Sequence, residues 1–246
     1  MTYCLGITTK DGFVVASDSR SNAGYDQVNV CRKMHLFEQP GERVFVAMTS
    51  GSLSCSQSIV TLLRRDFDKG AGLASVETMY DAARAVGEQV RRVSDLDRQS
   101  LERDGYKVNV HFILAGQIRG QPHDLYLIYP QGNPLRSSEE SPFLQIGECK
   151  YGRPILDRGV RYDQTSLDDA ARYALISLDS TMRSNVTVGP PIDLLVYGRD
   201  ELNLRRRRRL TDRDPDLVAI HTQWEQALRH AVQEIPRVNF DLESNA

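Results

Sequence analysis

Long apolar runs and paired cysteines are both scarce in this sequence of 246 residues. No apolar run approaches the roughly 20 residues of a transmembrane helix, and residues 1–7 lack the basic region and apolar stretch of a secretory signal. Four cysteines (Cys4, Cys31, Cys55 and Cys149) include no CxxC pair, which argues against a disulfide framework or a zinc site. Because free thiols are typical of a reducing compartment, the sequence predicts a cytoplasmic protein that neither spans nor binds a membrane.

Strong net charge is also missing. The formal net charge is -2, so the chain as a whole has no electrostatic reason to bind nucleic acid. The five histidines show no metal-ligand spacing, and we expect no metal or other cofactor. One local exception is the arginine run at residues 205–209, which could bind nucleic acid or an acidic partner. The acidic residues Asp212, Asp214 and Asp216 can neutralise it locally, which favours a contact between subunits over nucleic-acid binding.

Hydrophobic periodicity indicates both strands and helices. Strands are predicted at residues 4–8, 13–17, 43–48, 108–116, 124–129, 143–147 and 192–197. Helices are predicted at residues 54–67, 76–93, 167–183 and 216–235, and loops at 19–29, 95–105 and 130–142. Strands and helices are segregated along the chain and no Pro/Gly/Ser-rich linker divides it. We therefore predict one α+β domain of two antiparallel sheets with helices outside, spanning residues 1–246 with a C-terminal extension from about residue 199.

The order of motifs resembles a proteasome β-type subunit. In that family a Thr on a first strand is followed by a Gly turn, by an apolar strand that ends in a small residue and Asp, and by a Lys ahead of another apolar strand. The elements that carry the resemblance are Thr2, residues 11–20, residues 32–37 and residues 46–52. It covers most of the chain, to about Tyr197. Residues 19–24 and the long C-terminal extension are similar to the bacterial ancestral β-subunit branch, called Anbu.

This resemblance implies the four-layer αββα sandwich of the N-terminal-nucleophile hydrolases. It also implies a threonine peptidase or amidase that works through an acyl-enzyme on a peptide or amide substrate. Thr2 would be the nucleophile once Met1 is removed, with its own α-amine as the general base. The resemblance to Anbu subunits implies a homo-oligomer in the form of an open spiral rather than a closed ring. It leaves open whether an ATP-dependent partner takes part. Two alternatives remain: an amidohydrolase for small or modified peptides, and a non-catalytic self-assembling scaffold.

The resemblance also implies two charged residues that activate the nucleophile. The ammonium of Lys33 would lower the pKa of the Thr2 hydroxyl and amine, and Asp18 would keep that ammonium charged and oriented. The alternative is that Asp18 and Lys33 are solvated loop charges, which contribute little.

The turn at Ser50-Gly51 would supply backbone N–H donors for the oxyanion. The family has two glycines here, and Ser50 replaces the first, which is compatible with a role for the backbone. The alternative is an ordinary helix start capped by Ser52 or Ser54, and both descriptions can hold at once.

The family also has a Gly-Ser-Gly element near the nucleophile. Here Glu148 stands in for its Ser, as a carboxylate that could accept a hydrogen bond from the protonated amine. Equally, Glu148 could pair with Lys150 or Arg153 on the surface.

The last element is an Asp-x-x-Ser-Gly motif. Aligned on Ser184, it keeps the serine hydroxyl but places Thr181 where Asp is expected, so the supporting network must differ. Asp179 is near in sequence, although helical spacing does not deliver it to the same point.

Overall fold

The computed structural model describes residues 2–22, 28–105 and 108–240. Met1 and Gly24 lie outside the described residues. The strands are β1 (Tyr3–Thr9), β2 (Gly12–Ser17), β3 (Arg20–Asn22), β4 (Val28–Val30), β5 (Met34–Gln39), β6 (Arg43–Gly51), β7 (Val110–Ile118), β8 (Asp124–Ile128), β9 (Pro134–Arg136), β10 (Phe143–Gly147), β11 (Ile192–Gly198) and β12 (Arg207–Leu210). The α-helices are α1 (Leu53–Asp68), α2 (Met79–Arg103), α3 (Arg153–Gly159), α4 (Leu167–Ser184) and α5 (Pro215–Glu234).

Ten of these strands form two antiparallel sheets. The first sheet has the order β10-β1-β2-β11-β12 and the second the order β5-β6-β7-β8-β9. Strands β3 and β4 pair separately, in the segment that connects β2 to β5. All seven predicted strands and all four predicted helices are present, with bounds that differ by a few residues except at the C-terminal end of α2.

Three apolar clusters show that the layers are stacked helix, sheet, sheet, helix. In β1, Leu5 and Ile7 pack towards α3 and α4, whereas Cys4 packs between the two sheets, as the two-residue period of a strand requires. Phe13 and Tyr197 stack in the cluster between the sheets with ring centroids 4.7 Å apart. The second sheet is covered by α1 and α2. Each fully buried side chain of this size contributes about 1.5–3 kcal/mol to the stability of the fold. The order of the four layers confirms the predicted αββα sandwich.

Helix α2 is longer than predicted. The charged residues 95–105 were expected to form a surface turn, but the helix continues to Arg103. The segment contains no Pro, and no Gly before Gly105, and Leu101 packs against the cluster beneath it. The high charge of residues 95–105 therefore belongs to an exposed helix face and does not indicate the end of the helix. The short elements α3, β3, β4, β9 and β12 were not predicted, since three to seven residues are too few for a clear period. The predictions of loops at residues 19–29 and 130–142 are corrected accordingly, because β3, β4 and β9 lie in these segments.

The predicted apolar face of α5 is covered only in its first half. Leu217 is buried and Ile220 packs against the first-sheet cluster, whereas Leu228 is 47% exposed and Val232 65% exposed. A continuous stripe therefore begins in the core of this chain and ends on its surface. None of the helices in the described part of the chain is long and apolar enough to cross a bilayer.

Candidate active site

Asp18 and Lys33 form a buried ion pair. Asp18 follows β2 and is fully buried, and Lys33 precedes β5 and is 5% exposed. The Nζ of Lys33 donates to Asp18 Oδ1 at 2.6 Å and to the Arg20 carbonyl at 2.6 Å. An ammonium has three donors, and the third has no partner among the residues that the structure describes. The interpretation of these residues as solvated loop charges is wrong.

The same carboxylate reaches the backbone beside Thr2. Asp18 Oδ1 also accepts from the Tyr3 amide at 2.9 Å, and the Asp18 amide donates to the Tyr3 carbonyl at 3.1 Å. Its other oxygen, Oδ2, accepts from the amides of Arg20 and Gly189 at 3.2 and 3.3 Å. One carboxylate oxygen therefore bridges the Lys33 ammonium and the peptide that follows Thr2, which fixes their relative positions.

Burial raises the pKa of Asp18 above its ordinary value, while the Lys33 charge and the hydrogen bonds from Lys33, Tyr3 and Gly189 act in the opposite direction. A buried carboxylate needs a partner charge and several donors to stay ionised. The four donors around Asp18 offset the cost of burying its charge. Loss of either Asp18 or Lys33 would leave the other charge buried without its partner.

The turn after β10 lies against the Thr2 backbone. Gly147 pairs with Tyr3 across the sheet, and the Glu148 amide donates to the Thr2 carbonyl at 2.7 Å. Gly147 has φ +87°, and a Cβ on it would come within 1.9 Å of the Thr2 carbonyl oxygen. Only glycine allows this approach, so Thr2 is held from the Asp18 side and from the β10 side.

Glu148 is buried and binds Asn185, a residue that no sequence motif indicated. Its Oε2 accepts from Asn185 Nδ2 at 3.1 Å, while Arg153 pairs with Asp157 instead. Asn185 is itself fixed, because its Oδ1 accepts from the amide and hydroxyl of Thr187 at 3.0 and 2.6 Å. The surface pairing predicted as the alternative for Glu148 is not formed within the described part of the chain. An Asn one residue beyond a helix end gives no sequence signal for such a contact.

The other residues of the predicted supporting network are placed elsewhere. Ser184 is exposed at the last position of α4 and makes no hydrogen bond to another described side chain. The Thr181 hydroxyl donates within the helix to the Ser177 carbonyl at 2.9 Å. Asp179 binds His221 Nδ1 at 2.9 Å and so joins α4 to α5. Among the described contacts, the structure does not connect these three side chains to Thr2.

Strand β6 ends at Ser50 and Gly51, which pair with His111 and Val110 of β7, and the chain then turns into α1. Gly51 has φ +101°, and a Cβ on it would lie 1.9 Å from the Asn109 carbonyl oxygen. Ser52 occupies the N-cap of α1, yet its side chain caps no backbone amide. The predicted serine cap at Ser52 is therefore absent, and the turn is shaped by Gly51.

A cleft of about 670 Å³ opens between Thr2 and this turn. Its lining residues are Thr2, Ser21, Ser50, Gly51, Leu53, Asn109, His111, Leu127, Tyr129, Gln145, Ile146, Gly147 and Cys149. The volume is typical of a small-molecule or peptide site. The Thr2 hydroxyl and the glycine turn line this cleft, and the buried ammonium of Lys33 is linked through Asp18 to the peptide that follows Thr2. A hydroxyl, an ammonium and a glycine turn are components of acyl transfer.

The cysteines near the cleft are less suited than Thr2 to act as the nucleophile. Burial raises the pKa of the Cys4 thiol, and burial followed by the Glu148 charge raises the pKa of Cys149. Burial lowers the pKa of His111, so its imidazole is neutral at pH 7. Within residues 2–22, 28–105 and 108–240, no cluster of three or more His, Cys, Asp or Glu side chains could hold a metal ion.

Comparisons with known proteins agree with one another. Residues 2–197 match the family of proteasome subunits. The chain is 26% identical over 211 residues to a proteasome subunit beta of Haloferax volcanii, covering 84% of this chain and 77% of that one. A structure of the helical assembly of the Anbu complex from Pseudomonas aeruginosa is 45% identical, with a TM-score of 0.91 over 97% of this chain and 99% of that chain. Anbu from Yersinia bercovieri is 41% identical, with a TM-score of 0.90 over 97% and 99%.

Proposed function

This chain belongs to the proteasome subunit family, on its Anbu branch, and from that membership we propose that it is a threonine peptidase or amidase with Thr2 as its nucleophile. One observation carries the proposal: Asp18 Oδ1 bridges the Lys33 ammonium and the amide that follows Thr2. Thr2 lies at the same cleft as the Gly51 turn.

The proposed reaction begins after hydrolysis of the Met1–Thr2 bond, which frees the α-amine. That amine has an ordinary pKa of about 7.7–8.0, which suits a general base near neutral pH. It takes the proton of the Thr2 hydroxyl as Oγ bonds to the substrate carbonyl carbon. When the intermediate collapses, the C–N bond breaks and the proton passes to the leaving amine. Water then attacks the ester, which releases the carboxylic acid and restores the hydroxyl.

Each neighbouring group has a place in this scheme. The Lys33 ammonium, whose third N–H has no acceptor among the described residues, favours the deprotonated Thr2 oxygen by its charge, and Asp18 orients Lys33. The backbone at Ser50 and Gly51 donates to the oxyanion. Glu148, held by Asn185, offers a carboxylate to the protonated amine.

The direct test is covalent labelling of the intact chain by a peptide β-lactone. We expect one adduct per chain by intact mass, mapped to Thr2 by tandem mass spectrometry, on protein whose N-terminal sequence begins at Thr2. Thr2→Ala should give no adduct. Ser50→Ala is the matched control: it also removes one cleft hydroxyl, but it keeps the backbone donor and should be labelled normally.

Other outcomes have defined meanings. Labelling of Cys149 or Cys31 in place of Thr2 contradicts the threonine assignment. Retention of Met1 in native protein that never reacts favours the non-catalytic scaffold. Cleavage of short amides but not of unfolded proteins favours the amidohydrolase for small or modified peptides.

We further propose that the chain assembles with copies of itself. Support comes from the helical assembly of the Pseudomonas aeruginosa relative and from the exposed end of the α5 stripe. Leu228 and Val232 continue the buried face of Leu217 into solvent. Exposed apolar faces of this kind mark contact sites between proteins.

Leu228→Glu is therefore expected to shift the protein from an oligomer towards smaller species. A charge buried in an apolar contact costs several kcal/mol, and each 1.4 kcal/mol changes an association constant about tenfold. The control is Gln226→Glu, which adds the same charge on the opposite side of α5. Light scattering coupled to size exclusion measures both variants. Unchanged assembly in Leu228→Glu would exclude this face from the interface.

A further inference from the structure

A cavity of about 550 Å³ separates the edge strands of the two sheets, β5 and β12. Its lining residues are Arg32, Met34, His35, Leu36, Arg64, Asp193, Leu194, Arg207, Arg208 and Arg209. It shares no lining residue with the cleft at Thr2. Five arginines and one carboxylate meet here, in a chain whose formal net charge is -2.

Two of these arginines are already neutralised. Arg209 binds Asp193 Oδ2 at 2.6 Å. Arg208 binds Asp214 at 3.0 Å and also Asp216. Of the acidic residues that follow the arginine run, Asp214 and Asp216 therefore compensate Arg208 alone, whereas Arg209 is compensated by Asp193 of β11. The pairing of β11 with β12 places Arg207 and Arg209 on one face and Arg208 on the other.

The remaining three carry uncompensated charge. The guanidinium groups of Arg32 and Arg207 form no hydrogen bond or ion pair with any residue that the structure describes. Arg64 donates to the Leu36 carbonyl, and its guanidinium lies 4.2 Å from the centre of the Phe37 ring, but no described carboxylate pairs with it. Three guanidinium groups thus line one cavity without a counter-charge.

His35 adds no charge at neutral pH. Burial, and after it the Arg64 charge, lowers the pKa of His35 to about 4. The neutral imidazole leaves a ring nitrogen available for hydrogen bonding, so the cavity combines fixed positive charge with one neutral polar group.

We propose that this cavity binds a multivalent phosphate-type oxyanion. Arginine's planar fork matches phosphate oxygens in a bidentate way. A phosphate group presents two charges and several acceptors to groups that converge from β12, from α1 and from the segment before β5. The volume fits a ligand of pyrophosphate size or larger. An acidic peptide offers only one charge per side chain and spreads its charges along an extended backbone, so it matches this compact arginine cluster less well.

The test is calorimetric titration of the full chain with inorganic pyrophosphate at two NaCl concentrations. We expect saturable binding that weakens with salt. Arg32→Gln and Arg207→Gln should each raise the Kd about tenfold, the usual effect of losing one charged hydrogen bond. Arg205→Gln is the matched control, because Arg205 is exposed in the same run but does not line the cavity, and its Kd should be unchanged.

A parallel titration with ATP separates the sources of the ligand. Tighter binding of ATP assigns the site to a phosphate ester, and equal or weaker binding assigns it to a free phosphate. The proposal is overturned if pyrophosphate does not bind, or if Arg205→Gln weakens binding as much as Arg207→Gln. It is also overturned if Arg32→Gln and Arg207→Gln break the assembly without changing pyrophosphate affinity, because the cavity then receives a second copy of the chain. Equal melting temperatures would show that all variants fold.

Discussion

Lys33→Met should slow acylation of Thr2 by about 100- to 10,000-fold, the range for loss of a positioned proton-transfer or charge-stabilising group. It should also lower the free energy of unfolding by about 3–5 kcal/mol, because the buried carboxylate of Asp18 loses its counter-ion. The pair is short, at 2.6 Å, and both side chains are almost fully buried. Single-turnover labelling gives the rate, and urea denaturation gives the stability.

A second variant separates the two losses. In Lys33→Met combined with Asp18→Asn, the side-chain oxygen of residue 18 can still accept from the Tyr3 amide, but no unpaired charge is buried. Stability should recover most of the deficit, whereas the acylation rate should stay low. If the rate recovers with stability, Lys33 acts only through folding and the proposed chemistry is contradicted.

The pH dependence of Lys33→Met follows from Asp18. Burial raises the pKa of this carboxyl, and the largest opposing influence is Lys33 itself, so the pKa must rise further when Lys33 is lost. A group with a higher pKa in the folded state binds protons more readily when folded, so falling pH stabilises the fold relative to the unfolded chain. The stability deficit of Lys33→Met should therefore be largest at neutral pH and shrink as pH falls through the raised pKa. Urea denaturation across pH 4–8 measures it.

The N-terminal part of the candidate site could be predicted from the sequence because its residues lie on or beside regular strands. Asp18 follows β2 and Lys33 precedes β5. Hydrophobic alternation indicated β2, whereas the strand after Lys33 was indicated only by the resemblance to proteasome β-type subunits. Because β2 and β5 belong to different sheets, the face-to-face packing of the two sheets brings these strand ends together. Gly51 was likewise marked by the end of a clear apolar strand.

The C-terminal part could not be predicted for an equally physical reason. The contact between Glu148 and Asn185 joins two turns that are 37 residues apart, and no period or turn chemistry encodes it. Ser184 is the adjacent residue, yet it points to solvent, since one step along a helix end rotates the side chain by about 100°. The sequence correctly predicted an apolar stripe on α5. It could not show that only the first half of this stripe packs against other residues of the same chain.

Gly51→Ala should destabilise the fold and impair the site together. The new Cβ would lie 1.9 Å from the Asn109 carbonyl oxygen, in a backbone with φ +101°. The positive φ costs about 1–2 kcal/mol, and the overpacking costs typically about 1–3 kcal/mol more. Relief of the clash must move the β6 turn away from β7, which misplaces the proposed oxyanion donor. Loss of one such donor slows acylation by about 100- to 1,000-fold.

Gly70→Ala is the matched control for this variant. Gly70 also has a positive φ, +73°, but nothing lies within 4 Å of its added Cβ. It should show only the conformational cost of about 1–2 kcal/mol, with an unchanged labelling rate at Thr2. The decisive comparison is the labelling rate of Gly51→Ala at a temperature where the variant remains fully folded. A rate equal to that of the unmodified chain would mean that the turn at Gly51 shapes the cleft wall but does not bind the oxyanion.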